Sequence, residues 1–270
     1  MMITKMPTTS EITDAEFSVL KDTGRFLADY AALLLKSGAT CVRLEKSVNR
    51  MAHAWHTDVA ITITPHHIHL TIADAECGDS FTIIKGIDKT AISYDIITRL
   101  SRLSWAVADN GLSVENARSA MVEIMHTPVA DRRWVLFAVS CANASFCRLF
   151  GGDIVAMATV FAATMAGYYL KQVLSGCKID VRIVFVLCAF VSSVLGATDW
   201  LFHIGSTPDV ALATSVLYLV PGIPFLNSFS DMIDGHYVCF FSRLTDAVIL
   251  TGCLSVGLCA GMMLMHAGMF

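Results

Sequence analysis

The residues with the clearest potential for chemistry lie in LVPGIPFLNSFSDMIDGH, residues 219–236, an apolar segment that carries two prolines. Each proline lacks a backbone donor and clashes with the preceding helical turn, so Pro221-Gly222-Ile223-Pro224 predicts a broken helix. Inside a membrane, unpaired backbone is tolerated where protein or a water-filled cavity supplies partners, and broken helices of transporters often face a substrate or coupling ion. The alternative is a plain proline kink that shapes a helix bundle.

Three polar residues follow this break at helical spacing. Asn227, Asp231 and Asp234 are separated by four and by three residues, which places them on one helical face. Asp231 is a candidate ion or proton carrier, because acidic residues within membrane spans are rare and mark ion and proton pathways. Asp234 is nearer the end of the segment, where an ordinary solvated helix end is the competing interpretation.

A second polar cluster lies in SCANASFCRLFGGD, residues 140–153. Asn143 is an uncharged polar residue within an apolar segment, and Arg148 and Asp153 flank a turn at Gly151-Gly152. Arg148 is predicted either to pair with Asp153 or to attract an anionic substrate, and the alternative is an arginine that extends to the membrane interface. Together with Pro221, Gly222, Pro224, Asn227, Asp231 and Asp234, these three residues are the candidates for a substrate or proton pathway.

Other kinds of chemistry have weaker support. His53 and His56, and likewise His67 and His69, are spaced to share a face, but such pairs also occur on solvated surfaces, and we predict no metal site. The nine cysteines contain no CxxC pair. Signatures of nucleotide binding or hydrolysis are absent, so we expect no cofactor, no enzymatic activity and no ATP-driven pumping. No basic tract indicates nucleic acid.

The elements that must position these residues follow from the distribution of charge. Residues 1–133 contain 30 of the 42 charged side chains. Because an ionised side chain at the centre of a bilayer costs roughly 2.5 to 3.5 kcal/mol, the sparsely charged remainder is typical of membrane helices. The sequence predicts an all-α membrane bundle, residues 131–270, with about five transmembrane helices at approximately 134–150, 154–170, 181–198, 210–230 and 247–270.

Residues 1–130 predict a soluble α+β domain that precedes this bundle. Helical periodicity leads to Gly38 and resumes from Thr40 to about His56, and two more helices are expected at 92–108 and 113–125. The stretch between the two pairs is rich in β-branched residues that alternate with polar ones, which predicts two or three strands. No signal peptide is apparent, and basic residues cluster at one set of span ends, among them Arg133 before the first span and Arg243 between the fourth and the fifth. We therefore expect the amino-terminal domain in the cytoplasm and the carboxy terminus outside.

The motif P-G-x-P-x-x-N-x-x-x-D-x-x-x-G-H, together with SGATCVRLE at residues 37–45, resembles the threonine/serine exporter (ThrE-type) family. Within that family, the chain is similar to the YjjP-type subunit of the split exporters. The resemblance implies a multi-pass protein of the bacterial inner membrane that exports small carboxylates: threonine and serine in fused members, dicarboxylates such as succinate in split ones. It also implies a partner, a small membrane subunit of the YjjB type, with self-association as the alternative.

The sequence therefore predicts one subunit of a secondary exporter, with a periplasmic carboxy terminus and proton coupling. Two other functions remain open at this stage. One is a membrane-anchored cytoplasmic domain that senses or processes a ligand, which the size and histidine content of residues 1–130 favour. The other is a passive metabolite channel.

Overall fold

The computed structural model describes residues 9–74, 80–87, 92–127, 130–177, 179–202 and 205–266. The chain forms two compact units. The first, called here the amino-terminal unit, combines the described part of Met1–Thr127 with Leu226–Arg243. The second, called the helical unit, combines the described part of Pro128–Phe225 with Leu244–Phe270. The amino-terminal unit therefore includes a segment that lies far away in the sequence.

Four helices and one sheet form the first part of the amino-terminal unit. They are α1 (Thr9–Lys36), α2 (Cys41–Ala54), β1 (Thr57–Ile63), β2 (His67–Asp74), β3 (Ser80–Gly86), α3 (Tyr94–Asn110) and α4 (Val114–Met125). The hydroxyls of Ser93 and Ser113 cap α3 and α4 by accepting hydrogen bonds from Ile96 N–H and Asn116 N–H. The predicted order of helices and strands is confirmed.

The three strands form an antiparallel sheet in the order β1-β2-β3. The alternation of residue types sets its two faces, because successive side chains of a strand point to opposite sides. Ile68, Leu70 and Ile72 of β2 are fully buried in a core that α1, α2, α3 and α4 share. His67 and His69 belong to the opposite face, and no three metal-ligating side chains lie together within the described residues.

The remaining helices are α5 (Arg132–Leu149), α6 (Ile154–Gly176), α7 (Val181–Gly196), α8 (Thr198–Phe202), α9 (Pro208–Ser215), α10 (Gly222–Ile233) and α11 (Tyr237–Leu264). A short 3₁₀ turn, Leu217–Leu219, precedes α10. The predicted break in the fourth apolar segment is confirmed, because the chain bends by 60° between Pro208–Leu219 and Gly222–Ile233. Pro224 fits the first turn of α10, where backbone N–H groups have no helical partner.

Within the described residues, three helical segments are long and apolar enough to cross a membrane: Ile154–Gly176, Val181–Phe202 and Tyr237–Leu264. The bent pair makes a fourth if its two helices form one broken span. The remaining predicted span, 134–150, does form a helix, α5, but that helix has arginines near both ends and is not among the three. The last helix begins at Tyr237, well before the predicted span 247–270, whose final residues 267–270 lie outside the described part.

Small residues bring the helices of the helical unit close together. A Cβ added to Gly257 of α11 would lie 2.8 Å from Ala189 Cβ and 3.0 Å from Phe190 N of α7. The Ser192 hydroxyl lies 2.9 Å from the Tyr218 hydroxyl and also donates to the Ala163 carbonyl. Such packing suits helices in lipid, where close backbone approach and hydrogen bonds replace the hydrophobic effect as the source of association.

Candidate functional site

Asp231 lies at the centre of a buried polar network in the amino-terminal unit. Its side chain is 0% exposed, and Oδ1 accepts a hydrogen bond from the Cys41 N–H at 2.9 Å. Cys41 is the first residue of α2, and the preceding residue, Thr40, makes no side-chain cap. Asp231 therefore takes the place of a capping residue, although it is 190 positions away in the sequence.

This position suits a carboxylate because the amino terminus of a helix carries partial positive charge and unpaired N–H groups. A negative side chain there stabilises a helix by about 0.3–1 kcal/mol on the surface and by up to about 2 kcal/mol in partly buried geometry. The contact therefore ties the fold of α2 to the charge of Asp231.

Arg243 supplies the opposite charge. Its Nη1 lies 2.9 Å from Asp231 Oδ2, and its Nη2 donates a hydrogen bond to the Ala39 carbonyl at 2.7 Å. The Nη1–Oδ2 contact is an ion pair without hydrogen-bond alignment. Removal of one partner of a buried ion pair destabilises a protein by about 3–5 kcal/mol, because the other charge stays buried alone.

Asn227 lies on α10, four residues before Asp231, and contacts the same connection between α1 and α2. Its Nδ2 donates a hydrogen bond to the Gly38 carbonyl at 2.8 Å. The turn Gly38–Cys41 connects α1 to α2. Its backbone is therefore bound at three points: Asn227 donates to the Gly38 carbonyl, Arg243 donates to the Ala39 carbonyl, and Asp231 accepts from the Cys41 N–H. Gly38 has φ +94°, and a Cβ there would lie 2.8 Å from Ile92 Cγ1, so both backbone and space require glycine.

Two cysteines are buried beside this network. Cys239 of α11 directs its thiol toward the Ile63 carbonyl at 3.7 Å, and both Cys239 and Cys41 are free. The pKa of the Cys41 thiol is raised, first by a hydrogen bond with Cys239 and second by burial away from water. Cys41 is therefore a neutral packing group rather than a nucleophile.

The end of α10 explains the glycine and histidine of the motif. Gly235 has φ +85°, its N–H donates to the Met232 carbonyl, and the His236 N–H donates to the Asp231 carbonyl at 2.8 Å. This pair of bonds is the Schellman motif, which ends a helix at a glycine. His236 Nε2 then lies 3.5 Å from Glu45 Oε1, which adds a contact to α2.

Asp234 does not join Asn227 and Asp231. It is exposed at the end of α10 and accepts a hydrogen bond of 3.5 Å from the Ser230 hydroxyl. Pro221 and Gly222 lie at the break itself, where the Gly222 N–H donates to the Val220 carbonyl at 2.8 Å. Pro221 is buried, and its carbonyl accepts from the Phe225 N–H.

The other candidate residues belong to the helical unit. Asn143 is buried and its Nδ2 donates to Thr164 Oγ1 at 2.6 Å and to the Thr214 carbonyl at 3.0 Å, so it links α5, α6 and α9. Arg148 is exposed and donates to the Gly152 carbonyl at 3.1 Å. Arg148 and Asp153 do not form an ion pair; Asp153 caps α6 by accepting from the Ala156 N–H at 2.7 Å.

Sequence reasoning found Asn227 and Asp231 but missed their partners. Arg243 entered only as a basic residue beside a span, although it and Asp231 are opposite charges within two neighbouring apolar segments. Asp199, a buried acidic residue inside the candidate span Val181–Phe202, was also missed, because the span predicted from the sequence ends at residue 198. Ionisable residues inside membrane spans are rare and mark functional sites, so the ends of each predicted span should be searched for them as well.

Comparison with other proteins agrees with the motif. Residues 25–265 match the family model of the ThrE threonine/serine exporters. The chain is 30% identical to the "Probable succinate transporter subunit YjjP" of Klebsiella aerogenes, over 88% of this chain and 92% of that protein. It is 31% identical to the protein of the same name from Escherichia coli K12, over 83% of this chain and 87% of the relative.

A more distant relative is longer. The chain is 25% identical to the "Probable threonine/serine exporter" of Mycobacterium tuberculosis, over 84% of this chain but only 43% of that protein. No solved structure matches the chain.

Proposed function

Because the chain belongs to the threonine/serine exporter (ThrE) family, we propose that it is one subunit of a secondary exporter for a small carboxylate metabolite. The cargo is either an amino acid of the threonine/serine type or a dicarboxylate such as succinate. The names of the relatives favour these two classes. The observation that carries the mechanism is the buried contact of Asp231 with Arg243 and with the start of α2.

The proposed topology has five spans in a bacterial inner membrane, a cytoplasmic amino-terminal domain and a periplasmic carboxy terminus. The span that completes the set of five is α5, the first along the chain. It is supported by apolar side chains that the structure leaves exposed and that lipid or a partner would cover: Trp134, Phe137, Phe146 and Leu149. The alternative is a four-span chain in which α5 lies outside the membrane core.

In the proposed transport cycle, Asp231 gains and loses a proton. In the ionised form it pairs with Arg243 and caps α2, as the structure describes. Protonation removes the negative charge of the ion pair and weakens the cap on α2, which loosens the contact of α10 with the turn Gly38–Cys41. The Asn227 amide then leaves the Gly38 carbonyl and binds the substrate. Backbone groups at the helix break, at Pro221, Gly222 and Pro224, contribute to the same binding site.

Asn143, Arg148 and Asp153 belong to the same proposed pathway, in the helical unit. Arg148 is exposed and carries the charge that attracts an anionic substrate. Asp234 is left out of the proposed pathway, because among the described residues its exposed carboxylate makes no contact with the Asp231 network. A small YjjB-type membrane subunit would complete the exporter, in keeping with the word "subunit" in the names of two relatives.

The test of this function is efflux from bacterial cells that lack their own exporters for the two substrates. Cells are preloaded with labelled threonine or succinate and express this chain alone, the YjjB-type protein alone, or both. We expect efflux of one substrate only when both chains are present, and a proton uncoupler should abolish it. Uncoupler-insensitive efflux would indicate a channel, and no efflux with both chains in the membrane would contradict the proposal.

The role of Asp231 is tested in the same assay by Asp231→Asn, with Asp234→Asn as the matched control. We expect Asp231→Asn to lower efflux at least tenfold and to remove its dependence on external pH, because the amide cannot release a proton. Asp234→Asn should export at the normal rate. If Asp231→Asn exports normally with an unchanged pH profile, Asp231 does not carry the proton.

A further inference from the structure

Asp199 is a buried carboxylate that the proposed transport cycle does not use. It lies in α8, within the candidate span Val181–Phe202, and is 1% exposed. Oδ1 accepts a hydrogen bond from the Gly205 N–H at 2.7 Å. Oδ2 is buried without a hydrogen-bond partner in the described part of the chain. A buried acceptor left unpaired costs free energy, most of all when it is charged, so this oxygen calls for a ligand.

Asp153 faces the same turn from the start of α6. Its Oδ2 accepts hydrogen bonds from the backbone N–H of Ser206 at 2.7 Å and from the Ser206 hydroxyl at 2.9 Å. Hydrogen bonds from the backbone N–H groups of Ala156 and Ser206 lower the pKa of Asp153. Asp153 is therefore a fixed negative charge.

Gly205 lies against both carboxylates. A Cβ on Gly205 would lie 2.6 Å from Asp199 Oδ2 and 3.1 Å from Asp153 Oδ2. The two Oδ2 atoms therefore approach each other beside Gly205, and only a residue without a side chain fits between them.

Among the described residues, no basic side chain lies within ion-pair distance, 4 Å, of either carboxylate. Neither Asp153 nor Asp199 takes part in an ion pair there. Arg148, close to Asp153 in the sequence, directs its Nη1 to the Gly152 carbonyl instead. Two carboxylates side by side, one of them buried, favour the entry of a cation.

We propose that Asp153 and Asp199 form a binding site for one small monovalent cation where their Oδ2 atoms approach each other near Gly205. Two ligands carry a single positive charge of this kind: Na⁺, and the primary ammonium group of an amino-acid substrate. A divalent ion is less suitable, because Ca²⁺ takes six to eight oxygen ligands and only two carboxylates converge here. Transporters often bind coupling ions at the ends of interrupted helices. Asp199 lies at such a position, because α7 ends at Gly196 and α8 begins at Thr198. The ammonium case rests on the proposed export function, whereas Na⁺ binding does not.

The test uses the full chain, purified in detergent micelles, and follows thermal unfolding by tryptophan fluorescence. Four solutions of equal ionic strength are compared: choline chloride, NaCl, choline chloride with threonine, and choline chloride with succinate as its choline salt. We expect NaCl or threonine to raise the unfolding midpoint by about 3 °C or more, since a ligand that binds only the folded state stabilises it. A rise in NaCl identifies Na⁺, and a rise in threonine but not succinate identifies the ammonium group.

Asp199→Asn should lose the shift and, in choline chloride, should unfold at or above the wild-type midpoint, because it no longer buries an unbalanced charge. Gly205→Ala keeps both acidic residues, but its Cβ would lie 2.6 Å from Asp199 Oδ2 and displace that oxygen, so it should also lose the shift; it provides the test if Asp199→Asn does not fold. Asp234→Asn, an exposed carboxylate elsewhere, should keep it. Three results would overturn the proposal: no shift of the unfolding midpoint in the wild type, a shift with succinate alone, or an undiminished shift in both Asp199→Asn and Gly205→Ala. Because the assay measures binding without transport, failure of the efflux experiment leaves this result unaffected.

Discussion

Asp231 and Arg243 depend on one another, because each would be a buried, uncompensated charge without its partner. The pair is fully buried on the Asp231 side, and Arg243 is mostly covered. We predict that Asp231→Leu and Arg243→Met each lower the free energy of unfolding by about 3–5 kcal/mol. The double variant should be more stable than either single variant, since it leaves no unpaired charge. Denaturant unfolding in detergent measures all three.

The matched control is the exposed pair Asp95 and Arg99 on α3, which has the same N–O separation, 2.9 Å. Solvent screens this pair, so Asp95→Leu and Arg99→Met should each change stability by less than about 1 kcal/mol. If the Asp231 and Arg243 variants behave like this control, or if their effects simply add, the buried pair does not hold the turn Gly38–Cys41.

Gly38 should tolerate no side chain. Its φ of +94° disfavours any residue with a Cβ, and that Cβ would overlap Ile92. We predict that Gly38→Ala destabilises the chain by about 1–3 kcal/mol. Gly111→Ala is the control, because Gly111 also has a positive φ, +62°, but no atom lies near its Cβ position. Gly111→Ala should show the backbone cost alone, about 1 kcal/mol, and equal effects at both sites would rule out the contact with Ile92.

At the residue scale, the sequence predicted the important side chains better than their contacts. The spacing of Asn227 and Asp231 by one helical turn placed both on one face, and that face does meet the rest of the unit. The spacing could not show that it meets Gly38 and Cys41, because helical periodicity identifies a face and not its distant neighbour. For the same reason, Arg148 and Asp153 are close in sequence yet do not pair.

At the scale of elements, the contact of α7 with α11 depends on glycine. Gly257 faces Ala189 and Phe190 without room for a Cβ, whereas Gly252, also on α11, has no atom within 4 Å of that position. We predict that Gly257→Ala lowers the unfolding midpoint in detergent by several degrees, since overpacking costs about 1–3 kcal/mol. Gly252→Ala should leave it unchanged or slightly raised, because alanine is the better helix former. A normal midpoint for Gly257→Ala would show that the two helices can separate at no cost.

Regular elements followed well from the sequence wherever local signals were strong. Alternation of β-branched residues predicted the sheet, and Pro221 with Pro224 predicted the break before α10. The start of α11 was harder, because Arg243 looked like a charged boundary between two spans. Its charge is balanced by Asp231, so the helix passes through it without interruption.

At the scale of the whole molecule, the sequence could not show which parts of the chain fold together. It predicted a division near residue 130, and the amino-terminal unit also contains Leu226–Arg243. Sequence patterns report local structure, while this association depends on the hydrogen bonds and ion pair of Asn227, Asp231 and Arg243. A domain variant that ends at residue 127 would lack these groups, and its α2 would begin without the Asp231 cap.

The number of spans gives a prediction about the two ends of the described chain. With five spans, including α5, the amino terminus and the carboxy terminus lie on opposite sides of the membrane; with four spans they lie on the same side. Alkaline phosphatase is active only outside the inner membrane, and green fluorescent protein fluoresces only inside it. We expect fluorescence from a fusion at the amino terminus and phosphatase activity from a fusion after Phe270. A pair of fusions at the two ends of α6, after Gly151 and after Gly176, should give opposite signals if α6 spans the membrane, which controls for the method. Fluorescence from both ends would show an even number of spans, and fluorescence after Gly151 as well would place α5 outside the membrane core, where its exposed aromatic side chains would have to meet a partner rather than lipid.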